Sequence, residues 1–283
     1  MAWTLTGSPD EYLAIAGSFL RSDPVRNTIA LSAAEVVRVR GLAAFGDVEP
    51  LFGWWRGEDG EITAALLHTP PYPLLLTALP GDSARPLAET LIAAGRQLRG
   101  VNAQEAVARA FAAIWAGLTG AGAQEFLRIR LYWLGQLRSP EPAPGGAARP
   151  ATDADRGLLV PWLAAFAEET GDDVGRDGDE LIDDRLSYGG LTIWGSDGVP
   201  VSLAGTHRPG AGTVRVGPVY TPSEHRRRGY GAAVTAAVCR AALDSGAENV
   251  VLFTDQANPA SNSLYRRLGF DPVEDRVVLH FVP

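Results

Sequence analysis

An apolar run ending Val216-Gly217-Pro218-Val219-Tyr220-Thr221 is followed after a few residues by His225-Arg226-Arg227-Arg228-Gly229-Tyr230-Gly231, and a helical pattern takes over at Ala232. This succession constrains the fold more than any other stretch. Residues 213–219 predict a strand and the two glycines a turn. Residues 232–244 predict a helix, with Val234, Ala237, Val238 and Ala241 on one buried face and Gly246 as its C-cap. A strand that passes through a glycine turn straight into a helix gathers several backbone N–H groups and the positive helix end in one small volume. Such a place suits a phosphate.

At 283 residues the chain exceeds the usual single-domain size, so two domains of about 140 residues each are expected. The break falls at Ser139-Pro140-Glu141-Pro142-Ala143-Pro144-Gly145-Gly146, where prolines lack donors and glycines lack restraint. Before it, helical spacing covers 9–20, capped by Ser8 or Asp10, then 28–39, 84–94 and 103–118. Strands are expected at 51–55 and 62–68, joined by Gly57-Glu58-Asp59-Gly60, and at 73–79 and 126–134. Beyond the break, helices are expected at 153–169 and 179–186, and strands at 191–194, 199–206, 213–219, 249–253 and 277–282. Asn258 caps a last helix with Pro259 at its first position and Gly269 past its end.

Trp55 before an Asp-Gly turn leads through a strand to His68-Thr69-Pro70, and Trp194 before an Asp-Gly turn leads through a strand to His207-Arg208-Pro209. Two helices precede the hairpin and a strand follows it in both halves. A duplicated fold is expected, with the first copy degenerate.

Composition narrows the function. A net charge of −8 argues against a nucleic-acid binder, which would carry a basic domain or stripe. The basic residues are all arginine, a compositional habit rather than a functional signal. The single cysteine, Cys239, allows neither an internal disulfide nor a thiolate cluster and reads as a small buried hydrophobe. Met1-Ala2-Trp3-Thr4 shows no basic leader, and the apolar run 158–167 is too short to span a bilayer, so a cytoplasmic protein without membrane contact is expected.

Arg226-x-x-Gly229-x-Gly231 resembles the acyl-CoA pyrophosphate loop of the GNAT N-acetyltransferase superfamily. Downstream, Asn258-Pro259-Ala260-Ser261-Asn262-Ser263-Leu264-Tyr265-Arg266-Arg267-Leu268-Gly269-Phe270 resembles that superfamily's second signature, Asn-x-x-Ser/Ala-x-x-x-Tyr-x-x-x-Gly-Phe. The resemblance covers residues 149–283. Val219 to Pro222 together with Phe253 to Pro259 also resembles a bacterial subgroup of predicted acetyltransferases with two-domain chains. It implies an α/β fold: two tandem GNAT-like units, 1–138 without a CoA loop and 149–283 catalytic, joined by 139–148. Each would be a mixed, mostly antiparallel sheet flanked by helices.

The resemblance also implies roles. The backbone of Val219, Tyr220 and Thr221 would take the pantetheine arm of acetyl-CoA, with the Val219 N–H polarising the thioester carbonyl. Arg226, Arg227, Arg228, Gly229, Tyr230, Gly231 and Ala232 would hold the pyrophosphate. Asn258 and Ser261 would contact the arm, and Tyr265 would protonate the departing thiolate. No metal is implied. In the first copy Pro80-Gly81-Asp82-Ser83-Ala84 replaces the loop, and Asp82 would repel a pyrophosphate.

The acceptor needs a base, since an ammonium must lose a proton before it attacks. Glu168 and Glu169 end the first helix of the second half and are the candidates. From Glu168 to Asp184 nine acids (168, 169, 172, 173, 177, 179, 180, 183, 184) stand against Arg176 alone, a net −8 that equals the charge of the whole chain. That segment would attract a small cationic amine, or is simply a solvated acidic loop. Its spacing does not match a calcium loop. The expectation is an acetyl-CoA-dependent N-acetyltransferase. The alternatives are a non-catalytic acyl-CoA sensor and an enzyme acylating protein or peptide amines.

Overall fold

The computed structural model describes residues 1–171 and 178–283. Contacts divide the chain into two compact units: residues 1–130 with 255–257 and 274–283, and residues 131–254 with 258–273.

The first unit runs β1 (Ala2–Thr6), α1 (Pro9–Ile15), α2 (Gly17–Ser22), α3 (Thr28–Arg40), β2 (Leu51–Arg56), β3 (Ile62–His68), β4 (Leu74–Leu76), α4 (Ala84–Ala93), β5 (Gly100–Gln104), α5 (Glu105–Thr119) and the start of β6 (Gly122–Leu134). The second continues with β7 (Ala147–Pro150), α6 (Arg156–Thr170), α7 (Gly178–Leu186), β8 (Leu191–Ser196), β9 (Val199–Thr206), β10 (Thr213–Tyr220), α8 (Tyr230–Asp244), β11 (Asn249–Asp255), α9 (Pro259–Leu268) and β12 (Phe270–Val282).

Both units follow one plan, as the hairpin echo suggests. In the first, β1, β2, β3 and β4 pair antiparallel in sequence order, and β5 then joins β4 in parallel after the crossover helix α4. In the second, β7, β8, β9 and β10 pair antiparallel, and β11 joins β10 in parallel after α8. A parallel neighbour requires a crossover, and a helix supplies it.

Strand alternation then gives the strands of each unit two apolar faces. In the first unit Trp55, Leu66, Leu74 and Val101 pack with Leu87, Leu91, Phe111 and Trp115 of α4 and α5. Phe52, Trp54, Leu67 and Leu75 face the other way, onto Tyr12, Leu20 and Leu31 of α1 to α3. In the second unit Val214, Val216, Val250 and Leu252 meet Val234, Val238 and Tyr265. Leu191, Ile193 and Leu203 meet Leu159, Leu163 and Ile182 of α6 and α7.

The sequence expectation differs from this structure at several boundaries. Residues 147–148, read as linker, open β7, where Ala147 pairs with Gly195. Residues 274–283, read with the second domain, fall in the first unit because Arg276 to His280 form an antiparallel ladder with Gln104 to Gly100. The helix expected from Ala103 starts at Glu105, since Gln104 turns its side chain onto the N–H groups of Ala106 and Val107 and caps it. The helix expected over 9–20 is two helices that meet at Ala16.

Candidate active site

β10 carries the centre of the site. Its parallel ladder with β11 runs from Thr213↔Asn249 to Val216↔Leu252 and stops there. On its other edge it regains β9 at Val219↔Ala204 and Tyr220↔Leu203 after a register shift. The cause is a bulge at Gly217, whose φ of 149° excludes other residues. Arg185 of α7 holds the bulge, donating Nη1 to Thr206 O at 2.5 Å and Gly217 O at 2.7 Å. Val219, Tyr220 and Thr221 thus follow the bulge on a strand whose β11 edge has lost its partner.

From Tyr220 the chain is pinned by hydroxyls. Ser202 Oγ donates to Tyr220 O at 3.0 Å and lies 2.8 Å from Thr221 Oγ1. A short 3-10 turn, Ser223–His225, leads to Arg226 in extended conformation. Arg227 has φ 62° and Gly229 φ 85°, both left-handed, so the loop coils tightly into α8. Gly229 is the N-cap of α8 and offers no side-chain acceptor, and no acid stands in the first turn. The amides that open α8, at Tyr230, Gly231 and Ala232, therefore keep the unsatisfied, positive character of a bare helix N-terminus. At Gly231 a Cβ would stand 3.3 Å from Thr221 Oγ1, so helix and strand end approach closely there. Tyr230 anchors the turn through its hydroxyl, 3.3 Å from Ser196 Oγ.

The arginines of the loop separate. Arg226 donates Nε to Thr221 O at 2.8 Å and Nη2 to both carboxylate oxygens of Glu169, at 2.5 and 2.7 Å. Its guanidinium lies 5.9 Å from the centroid of the Tyr220 ring, and the Glu169 bond raises its pKa. Arg227 and Arg228 are exposed. Glu169, read as a candidate base, is thus engaged by a residue read as a phosphate ligand. Its neighbour Glu168 is exposed and has no ion pair among the described residues.

Tyr265 sits on the buried face of α9, 8% exposed, with ring centroids 6.5 Å from Tyr132 and 5.9 Å from Phe270. Its hydroxyl makes no hydrogen bond within the protein among the described residues, and burial, reinforced by Cys239, raises its pKa. The phenol stays protonated at neutral pH. Asn258 caps α9 by accepting from the Ser261 N–H at 3.0 Å, so both residues serve the helix start, and their exposed side is open. Cys239 is buried beside this core, and burial pushes its thiol up to about 12.

Part of the acidic segment is paired. Asp179 and Asp183 pair with Arg156, and Asp184 with Arg208 at 2.8 Å. Asp172, Asp173, Arg176 and Asp177 lie outside the described residues. Sequence reasoning missed Arg185 and Arg215, since nothing in spacing marks an arginine that folding will bury. Among the described residues no cluster of His, Cys, Asp and Glu is placed to hold a metal, and no helix is long and apolar enough to cross a membrane.

Residues 158–270 match the model of the acetyltransferase (GNAT) family. No curated protein matches the chain. Solved structures do: a Drosophila protein of 12% identity superposes with a TM-score of 0.69, covering 99% of this chain and 98% of that one. An acetyltransferase of the GNAT family from Colwellia psychrerythraea, also 12% identical, gives 0.58 with 100% of each chain covered. A tandem GNAT protein from the clavulanic acid biosynthesis pathway, solved without AcCoA, is 15% identical and gives 0.53 over 99% of this chain and 98% of that one. The second unit is therefore an acyltransferase domain in both fold and sequence pattern. The family match lies almost wholly within the second unit, and the solved structures show that the two units repeat a GNAT-like fold in tandem.

Proposed function

We propose that the second unit is an acetyl-CoA-dependent N-acetyltransferase acting on a primary amine by direct attack, and that the first is a copy without a donor site. The observation that carries this reading is the uncapped α8 start, led by left-handed Arg227 and Gly229, at the end of a strand whose β11 edge is open. That edge would receive an extended pantetheine arm as an added strand does. The amides of Gly229 to Ala232, with Arg227 and Arg228 beside them, would hold the pyrophosphate. Arg226 would join them from its bond to Glu169.

In the reaction the Val219 N–H would polarise the thioester carbonyl. Glu168 would take the proton of the attacking ammonium, directly or through water; Glu169 could do so only on parting from Arg226. As the new C–N bond forms and the C–S bond breaks, Tyr265 would give its proton to the departing thiolate. Burial holds the phenol protonated and makes it a weaker acid than a free tyrosine, so the transfer draws on the thiolate charge that develops as the C–S bond breaks. An acceptor that is a cationic amine in solution fits the charge of the chain, although the pairing of Asp179, Asp183 and Asp184 leaves less attraction than the sequence suggests.

Free-thiol release from acetyl-CoA across polyamines, aminoglycosides, amino acids and peptides tests the activity. Tyr265→Phe is expected to slow release about 10²-fold or more with CoA affinity and stability unchanged, since among the described residues the hydroxyl has no hydrogen-bond partner. Unchanged release would remove Tyr265 from the mechanism. A non-catalytic acyl-CoA sensor is the second reading, favoured by the aromatic packing of Tyr265. It requires CoA binding with no release for any amine.

A further inference from the structure

Arg215 lies on β10 two residues before the bulge. Val214 and Val216 point into the core under α8, so strand alternation sends Arg215 to the opposite face, where α7 lies. Its Nη2 is 3.0 Å from His207 Nδ1. An arginine only donates, so a hydrogen bond there has Nδ1 as its acceptor. This partner brings no negative charge.

The other terminal nitrogen, Arg215 Nη1, is buried and has no hydrogen-bond partner. The charge beside it is Arg185, itself only 5% exposed and of the same sign. Asp184 is taken by Arg208 through two bonds, at 3.1 and 2.8 Å, and among the described residues no carboxylate pairs with Arg215. Burial and then the Arg185 charge push the Arg215 guanidinium down to about 9. A guanidinium whose buried Nη1 has an open donor and which, among the described residues, pairs with no carboxylate is a costly arrangement that a bound anion would relieve.

The position gives the anion a use. A Cβ on Gly217 would stand 3.9 Å from His207 Nε2, so His207, Arg215 and Arg185 converge on the bulge that precedes Val219. We propose that Arg215, backed by Arg185, is a carboxylate subsite, and that the amine acceptor carries a carboxylate, as an amino acid does. The second half of this statement rests on the acyl-transfer reading above; the first half does not. A planar guanidinium with a free Nη1–H suits a carboxylate oxygen.

Two readouts test it. In buffer of low anion content Arg215→Met is expected to melt at or above the wild-type temperature, because it removes a charge whose buried Nη1 has no partner among the described residues. Acetate is the probe: it should raise the wild-type melting temperature along a saturating curve, leave Arg215→Met unmoved, and act more weakly on Arg215→Lys, which keeps a cation. A melting temperature several degrees lower for Arg215→Met without acetate, or equal acetate shifts in wild type and Arg215→Met, would overturn the subsite.

Turnover separates this from the parent reading. Thiol release should favour amino acids over their amides at least tenfold in KM, and Arg215→Gln should erase that preference without changing CoA affinity. Release with amino acids and amides alike would sink the subsite and leave acyl transfer standing. Acetate binding lost in Arg215→Met with no release for any amine would sustain the subsite and sink acyl transfer.

Discussion

Replacing Gly229 isolates the proposed donor loop from everything else in the second unit. Gly229 holds φ 85° and ψ −4° as the N-cap of α8. A Cβ built there would meet only Pro144 atoms, at 3.6–3.7 Å, which is ordinary contact. Sterics against neighbours are therefore not the obstacle, and the cost of a side chain is the left-handed backbone itself, about 1–2 kcal/mol for alanine. A β-branched residue is worse still in that region, up to about 3 kcal/mol. A loop so strained relaxes to negative φ when free and must be driven back for its amides to converge on a phosphate. On this account Gly229→Ala weakens CoA about 5- to 30-fold and Gly229→Val up to about 150-fold. Gly229→Asn, whose side chain tolerates the left-handed region, should lose a few-fold at most. Titration calorimetry with CoA measures this, with thermal melts to confirm that each variant folds. Wild-type affinity in Gly229→Val, or a loss in Gly229→Asn as large as in Gly229→Val, would refute the reasoning.

Other expectations follow from single contacts. The Arg226–Glu169 pair is 42% and 48% exposed, so a double-mutant cycle on urea stability should give a coupling below about 1 kcal/mol that fades with salt, while Arg226→Ala alone should weaken CoA binding. His68 is 1% exposed, and burial, with Arg96 beside it, lowers its pKa to about 4. The unfolded chain takes up that proton near pH 6.5, so stability is full above that pH and falls as pH drops towards 4, by on the order of 3 kcal/mol. Urea midpoints at pH 7 and 5 should separate more in wild type than in His68→Gln, and equal slopes would remove His68 from the effect. Arg276 is 5% exposed and bonds Glu274 at 2.8 Å and the carbonyls of Leu76 and Asn102 at 3.0 and 3.1 Å. Arg276→Met should cost about 3–5 kcal/mol, read as a urea midpoint shift; a loss under about 1 kcal/mol would show that solvent reaches the vacated carbonyls.

What could be read in advance depended on whether one local signal sufficed. The cap of α9 was legible because Asn258 and Pro259 act on their own backbone, whereas α8 starts at Tyr230, ahead of the expected Ala232, and takes Gly231 into its first turn instead of leaving it in the loop. The hairpins were legible because tryptophan, turn and alternation repeat. The short strands β1, β5 and β7 were not, since five or fewer residues give too few alternations to count, and Ala147 to Pro150 is exposed throughout. The placement of residues 274–283 in the first unit was invisible for a different reason: pairing between Arg276 and Gln104 links positions far apart in the chain, and no local pattern reports it. The same holds for the site. Donor-side residues cluster in sequence, whereas Glu169 meets Arg226, and His207 meets Arg215, only after the sheet has formed.

The two copies also differ in a way that a motif search sees only by half. Each ends a parallel ladder early, at Leu75↔Asn102 in the first unit and Val216↔Leu252 in the second, so each has a place where two parallel strands part. Each also uses a buried guanidinium to bridge main-chain carbonyls nearby. In the first unit that guanidinium is Arg276, and it bridges Leu76 O and Asn102 O, across the parting of β4 and β5. In the second it is Arg185, and it bridges Thr206 O and Gly217 O, across β9 and β10 and away from the parting of β10 and β11. The bridge in the first unit fills the groups that an added strand-like ligand would need, while the bridge in the second steadies the bulge and leaves the β11 edge open. The absence of a glycine loop after β4, on the proposed reading, leaves the first unit without a phosphate site, and Arg276 fills the slot that would lead to it. On the proposed reading these are two parts of one change, and restoring Arg-x-x-Gly-x-Gly alone after β4 would not return donor binding to the first unit.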